Sequence, residues 1–136
     1  MTRARHIPAG MLVLGLSLGA PRMAPAQGVS AAWQATPASI LKNTLRNVVA
    51  AQDHYRTTHA AYAPSVEALQ VQPGSEVRVQ ILGVTPDGWR AKATHRARPG
   101  KSCVIFVGQV NGDLPKTDGD GEMAGEERVP LCDRME

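Results

Sequence analysis

The stretch LKNTLRNVVAAQDHYRTTHAAY, residues 41–62, decides how the chain is read. Leu41, Leu45, Val48, Gln52, Tyr55, His59 and Tyr62 follow one another at alternating steps of four and three. That spacing keeps one helix face inward, because a turn closes every ~3.6 residues. Lys42, Asn43, Arg46, Asn47, Asp53 and Arg56 stand off the stripe. Upstream, Thr36 followed by Pro37 marks a helix start. The cap needs a side-chain oxygen, and proline at the first helical position lacks only an N–H that would have no helical partner. The pattern predicts a helix over 37–58, fraying near TTHA, where two β-branched threonines lower helix propensity. His59 extends the stripe and is expected to be packed or at its edge. YAPSVEAL (62–69) reads as a loop capped by Ser65 into a short helical turn, with Val66 and Leu69 pinning it to the domain.

Beyond residue 75 the period changes to two. SEVRVQILGV sets Val77, Val79 and Ile81 on one side and Glu76, Arg78 and Gln80 on the other. TPDG (85–88) is a turn, with Pro86 presetting φ and Gly88 tolerating a positive one. In WRAKATHR, Trp89, Ala91, Ala93 and His95 are expected inward, and Arg90, Lys92, Thr94 and Arg96 toward water. RPGK (98–101) is a second turn, and SCVIFVG (102–108) a more continuously apolar, central strand. Residues 109–128, rich in Gly, Asp and Glu, read as a long loop. RVPLCD (128–133) is expected to return as a short edge segment, given Pro130. The expected architecture is α+β: one long N-terminal helix on a three- or four-stranded antiparallel meander, with a disulfide-pinned C-terminal loop.

The first 26 residues have the form of an export signal. Arg3, Arg5 and His6 precede the apolar run MLVLGLSLGA (11–20), and APA (24–26) offers cleavage after Ala26. The run would rise about 15 Å as a helix, half of a ~30 Å hydrocarbon core. No stable membrane span is therefore expected. Residues 27–36 read as a flexible leader and 37–136 as the domain. Removing Arg3, Arg5 and Arg22 from 15 basic residues leaves 12 against 12 acidic ones, so the pI near 9.2 resides largely in the signal and does not argue for nucleic acid.

In an exported chain, an even count of two cysteines favours a Cys103–Cys132 bridge over a metal pair or free thiols. Charge is uneven. Residues 78–101 carry six basic side chains against Asp87, and residues 113–136 carry eight acids against three basic residues. The two segments either neutralise each other or leave a basic face, Arg90, Lys92 and Arg96, for an anionic protein partner.

No convincing catalytic constellation is present. GKS (100–102) lacks the upstream glycine of a phosphate loop, since residue 95 is His, and a strand follows it. His54 and His59 lie five apart, about 140° around a helix, which is the wrong spacing for a metal pair. The weak cation candidate is DGDGE, with Asp118, Asp120 and Glu122 at alternate positions for calcium. Met123 stands where a calcium hand needs glycine, and Val129 where it needs an acid. A solvated acidic loop is the plainer reading.

LRNVVAAQDHYRTTHAAYAPSVEAL (45–69), GVTPDGWRAKATHRARPGKSCVIFVG (83–108) and VPLCD (129–133) together resemble the globular head of bacterial type IV pilin-like proteins and pseudopilins. The resemblance implies a helix packed on an antiparallel meander, a late disulfide, and a structural rather than enzymatic role in type IV pilus or type II secretion systems. The front departs from the family. The fifth residue after Gly10 is Gly15 where pilins carry Glu, and Pro21, Pro25 and Pro37 forbid one continuous stem. The expectation is an exported soluble domain, periplasmic or secreted, that binds a filament, secretion component or cell surface. The alternatives are a calcium-responsive module and a minor pilin kept in the membrane.

Overall fold

The computed structural model describes residues 35–135, so the expected signal segment and all but the end of the leader lie outside the described residues. Helix α1 spans Pro37–His59 and starts as its sequence dictates: the Thr36 hydroxyl oxygen accepts the Ser39 N–H at 3.2 Å. It ends at Ala60, left-handed at φ 57°, whose N–H donates to the Arg56 carbonyl. The helix thus ends inside TTHA, one residue past the predicted end at 58. The Thr57 and Thr58 hydroxyls donate to carbonyls one turn back, at 2.9 Å to Asp53 and 3.0 Å to Tyr55, so both are satisfied inside the helix. A single turn, α2 (Val66–Leu69), follows, with the Ser65 Oγ accepting the Ala68 N–H at 3.3 Å.

Four strands form one antiparallel sheet in the order β1-β2-β3-β4: β1 Val77–Thr85, β2 Gly88–His95, β3 Ser102–Gly108 and β4 Leu131–Cys132. The first two pair Val77 with His95 through Ile81 with Ala91, then slip by one residue at Leu82, which is left exposed. β4 opens immediately after Pro130, which itself has no N–H to give a ladder. Cys103 and Cys132 are direct cross-strand neighbours and are disulfide-bonded.

Helix α1 covers the face formed by Trp89, Ala91 and Ala93 of β2 and Cys103, Ile105 and Val107 of β3, burying Leu41, Leu45 and Val48 completely. Burying each such leucine contributes roughly 1.5–3 kcal/mol. Ala91 and Ala93 are short, which lets the helix approach the strands closely.

Past Gln52 the stripe is only partly covered: Tyr55 and Tyr62 are half-buried, Tyr62 against the core. His59 is exposed, against expectation, because α1 extends beyond the apolar surface that would cover it. Its ring stacks on Tyr55 instead, with centroids 3.9 Å apart. The other sheet face also departs from expectation: Arg90, Lys92 and Thr94 are half-buried rather than solvated. The acidic loop between β3 and β4 lies over them. Val104, on that outer face, is fully buried yet stands outside the helix-side core, so β3 is covered on both sides. That double cover explains its unbroken apolar sequence.

Candidate functional site

The acidic loop is organised by one residue, Asp133, only 3 % exposed. Its Oδ2 accepts the Ser102 and Gly119 N–H groups, both at 2.8 Å, and its Oδ1 accepts that of Asp120 at 2.6 Å. Burial opposes ionisation of this carboxyl. The hydrogen bonds from Asp120, the Thr117 hydroxyl, Ser102 and Gly119 outweigh it and hold the pKa down at about 2. Gly119 packs close to this carboxylate: a Cβ would sit 3.1 Å from the Asp133 Cγ and 2.7 Å from the Cδ of the flexible Lys101 side chain. Gly121 turns the loop back at φ +66°, and Lys116 and Met123 meet across its base.

The carboxylates of the calcium candidate are held by different partners. Asp118 pairs with Lys92 at 3.1 Å, while Asp120 faces Lys101 at 3.5 Å and accepts the Arg134 N–H at 2.9 Å. Glu122 is exposed. Among the described residues no group of three His, Cys, Asp or Glu side chains is placed to hold a metal ion. His54 and His59 are both exposed on α1, and His95 uses its Nδ1 to accept the Ala97 N–H at 3.1 Å. GKS runs from the second turn into β3, and its Ser102 is fixed by Asp133 and Asp118.

The three-residue basic face is divided. The Arg90 guanidinium donates to the Asp113 carbonyl at 2.6 Å, and Lys92 is held by Asp118. Two ion pairs, Lys92–Asp118 and Lys101–Asp120, join the basic and acidic segments, and of the three only Arg96 projects freely, its side chain 80 % exposed. It belongs to a different group. At the end of the sheet where β1 begins and β2 turns into β3 lies a shallow cleft of about 380 Å³, lined by Arg78, Arg96, Arg98 and Lys101 with Glu76 its only acid. Arg98 is fixed there by its Nε–H donating to the Met135 carbonyl at 3.0 Å. Arg96 approaches Glu76 no closer than 3.9 Å. Arg78 and Arg98 join this rim although they are distant in sequence, because β1 and the second turn meet there.

Sequence reasoning placed Gln52 on the inward stripe but gave it no task. Its side chain clasps Ala63: Oε1 accepts the Ala63 N–H at 2.8 Å and Nε2 donates to the Ala63 carbonyl at 2.9 Å. Asp133 was missed entirely. The available signal was an acid directly after a cysteine, with a glycine-punctuated loop needing a partner for its N–H groups.

No protein-family model matches the chain, and no curated protein matches its sequence. No described helix is long and apolar enough to cross a membrane.

Proposed function

We propose that this chain is an exported, disulfide-locked domain of pilin-like design with a structural or protein-binding role outside the cytoplasm. The observation that carries this reading is the disulfide between Cys103 and Cys132, which joins β3 to the last strand beneath a helix laid on an antiparallel meander. Such bridges persist in oxidising compartments and are rare in the cytosol. The pilin-like assignment rests on the helix-on-meander plan together with the sequence resemblance. Binding is favoured over catalysis because the conspicuous polar groups are engaged in holding the fold, while the arginine rim at the end of the sheet faces solvent.

The test is the mass of the native protein after alkylation under denaturing, non-reducing conditions, combined with fractionation. The expected product begins at Gln27, lacks two hydrogens, takes up no alkyl group and is recovered outside the membrane pellet. Two alkylated thiols would overturn the extracytoplasmic reading. An intact leader in the membrane pellet would overturn the soluble form in favour of a membrane-held minor pilin.

A further inference from the structure

We propose that the cleft at the end of the sheet, where β1 begins and β2 turns into β3, binds a phosphate monoester through Arg78 and Arg98. This goes beyond the reading of the chain as a structural or protein-binding domain and does not depend on it. The cations of the cleft are not equivalent. Lys101 is drawn to Asp120 of the acidic loop at 3.5 Å, and Arg96 faces Glu76, the acid of the cleft itself, at 3.9 Å. Arg78 is exposed and enters no ion pair among the described residues. Arg98 also lacks an acid, yet it is half-buried and fixed. Its Nε–H donates to the Met135 carbonyl and its Nη1–H to the Ala97 carbonyl, both at 3.0 Å. Neutral carbonyls thus orient this guanidinium and leave its charge uncompensated. A side chain already held in place loses little rotamer freedom when a ligand arrives.

Uncharged donors border the same cations. Thr94 stands directly across the ladder from Arg78, and its hydroxyl belongs to the cleft. His95, only 9 % exposed, also lines the cleft, and its Nδ1 accepts the Ala97 N–H at 3.1 Å. The neutral ring therefore carries its proton on Nε2, which takes no partner among the described residues. The cleft measures about 380 Å³, room for a phosphate and a small group esterified to it. At its rim Gly100 has φ +74°, and nothing stands within 4 Å of where a Cβ would lie, so that side is open.

Charge and shape select the ligand. Two uncompensated guanidiniums match a group carrying roughly −1.5 to −2 charges at neutral pH, as a phosphate monoester does. Each planar fork can take two of its oxygens. A carboxylate brings a single charge, too little for both arginines, and a nucleic-acid diester likewise brings one per phosphate. The monoester belongs either to a soluble molecule or to a lipid headgroup, and the two share this chemistry.

The test uses the full-length oxidised protein, at low salt and at a pH above the second phosphate pKa of ~6. Glycerol 3-phosphate, acetate and a thymidine oligonucleotide are titrated by calorimetry. Glycerol 3-phosphate is expected to bind at least about tenfold more tightly than acetate, and Arg78→Gln to weaken it at least about tenfold. Arg78 holds nothing else in place, so the variant should fold, which circular dichroism checks. Arg46→Gln, on the exposed face of α1, should change nothing. Amide chemical shifts need no variant and should move within 75–78 and 94–101. Sedimentation with vesicles of phosphatidylcholine, with and without phosphatidic acid, separates the sources. Retention by phosphatidic acid assigns a lipid headgroup, and binding of glycerol 3-phosphate without such retention assigns a soluble ester. Acetate binding as tightly as glycerol 3-phosphate, the oligonucleotide binding more tightly, equal losses in the two variants, or shifts centred elsewhere would each overturn the proposal. So would no binding of either monoester at ~10 mM, a Kd limit of about 2.7 kcal/mol. None of these outcomes bears on the export and disulfide reading, which the native mass tests separately.

Discussion

Ser102 and Asp133 bind each other twice where β3 meets the end of the last strand. The Asp133 N–H donates to the Ser102 carbonyl at 3.0 Å, and the Ser102 N–H donates to the Asp133 side chain at 2.8 Å. A side-chain oxygen thus takes the place that a strand carbonyl would occupy. The same carboxylate then gathers the N–H groups of Gly119 and Asp120, so one acid ends the sheet and shapes the loop over its outer face.

Asp133→Asn keeps the shape but turns an NH₂ toward N–H donors. A loss of roughly 2–4 kcal/mol in urea unfolding is expected, since charge-assisted bonds are lost and a buried donor is stranded. The pH dependence follows. With a folded pKa of about 2 against 3.8 ordinarily, the charge stabilises the fold fully above pH ~4. That contribution, about 2 kcal/mol, is lost as pH falls through ~2. The acid limb of stability should flatten in Asp133→Asn. An unchanged limb would refute this role.

Gln52→Leu keeps roughly the volume but replaces the amide with an apolar group, leaving the Ala63 N–H and C=O without their partner in a fully buried place. The expected cost is about 2–4 kcal/mol, with faster hydrogen exchange at the Ala63 amide. Were only the packing of α1 important, the leucine would be tolerated and exchange would not change.

Two glycines of the same loop should respond differently. Gly119→Ala forces a methyl against the fixed Asp133 carboxylate and should cost roughly 1–3 kcal/mol. Gly125→Ala meets nothing within 4 Å and should be close to neutral. Thermal melts of the two variants make the comparison, and equal losses would contradict the close-approach argument.

Reduction, or Cys103→Ser with Cys132→Ser, opens a link between residues 29 apart in sequence. Chain-entropy reasoning gives a loss of about 3–4 kcal/mol. Because β4 is two residues long and leads directly into Asp133, the first amides to lose exchange protection should be those of 117–122 and 131–133. Uniform loss across the sheet would instead indicate a single cooperative unit.

The helix, its cap, its inward leucines and the alternation of β1 and β2 were legible because each depends on neighbours within one or two turns or on a period of two. His59 misled because periodicity says which way a side chain points, not whether anything stands there to cover it. Arg90 and Lys92 misled for the complementary reason: alternation aimed them away from the helix, and the loop that covers them comes from residues 23 and 26 positions later. The arginine rim could not be grouped from sequence, since Arg78 reaches Arg96 and Arg98 only through the antiparallel register of β1 and β2.

By itself, then, the sequence determined an α+β chain whose helix shields a small sheet, because local propensity and hydrophobic period are written in adjacent residues. Only the tertiary structure decided that Asp133 anchors the acidic loop, that Gln52 holds Ala63, and that Arg78, Arg96, Arg98 and Lys101 line one cleft at the end of the sheet. These are relations between buried polar groups far apart in the chain. Burial makes each donor and acceptor costly to leave unpaired, and which partner satisfies it depends on where the chain crosses itself.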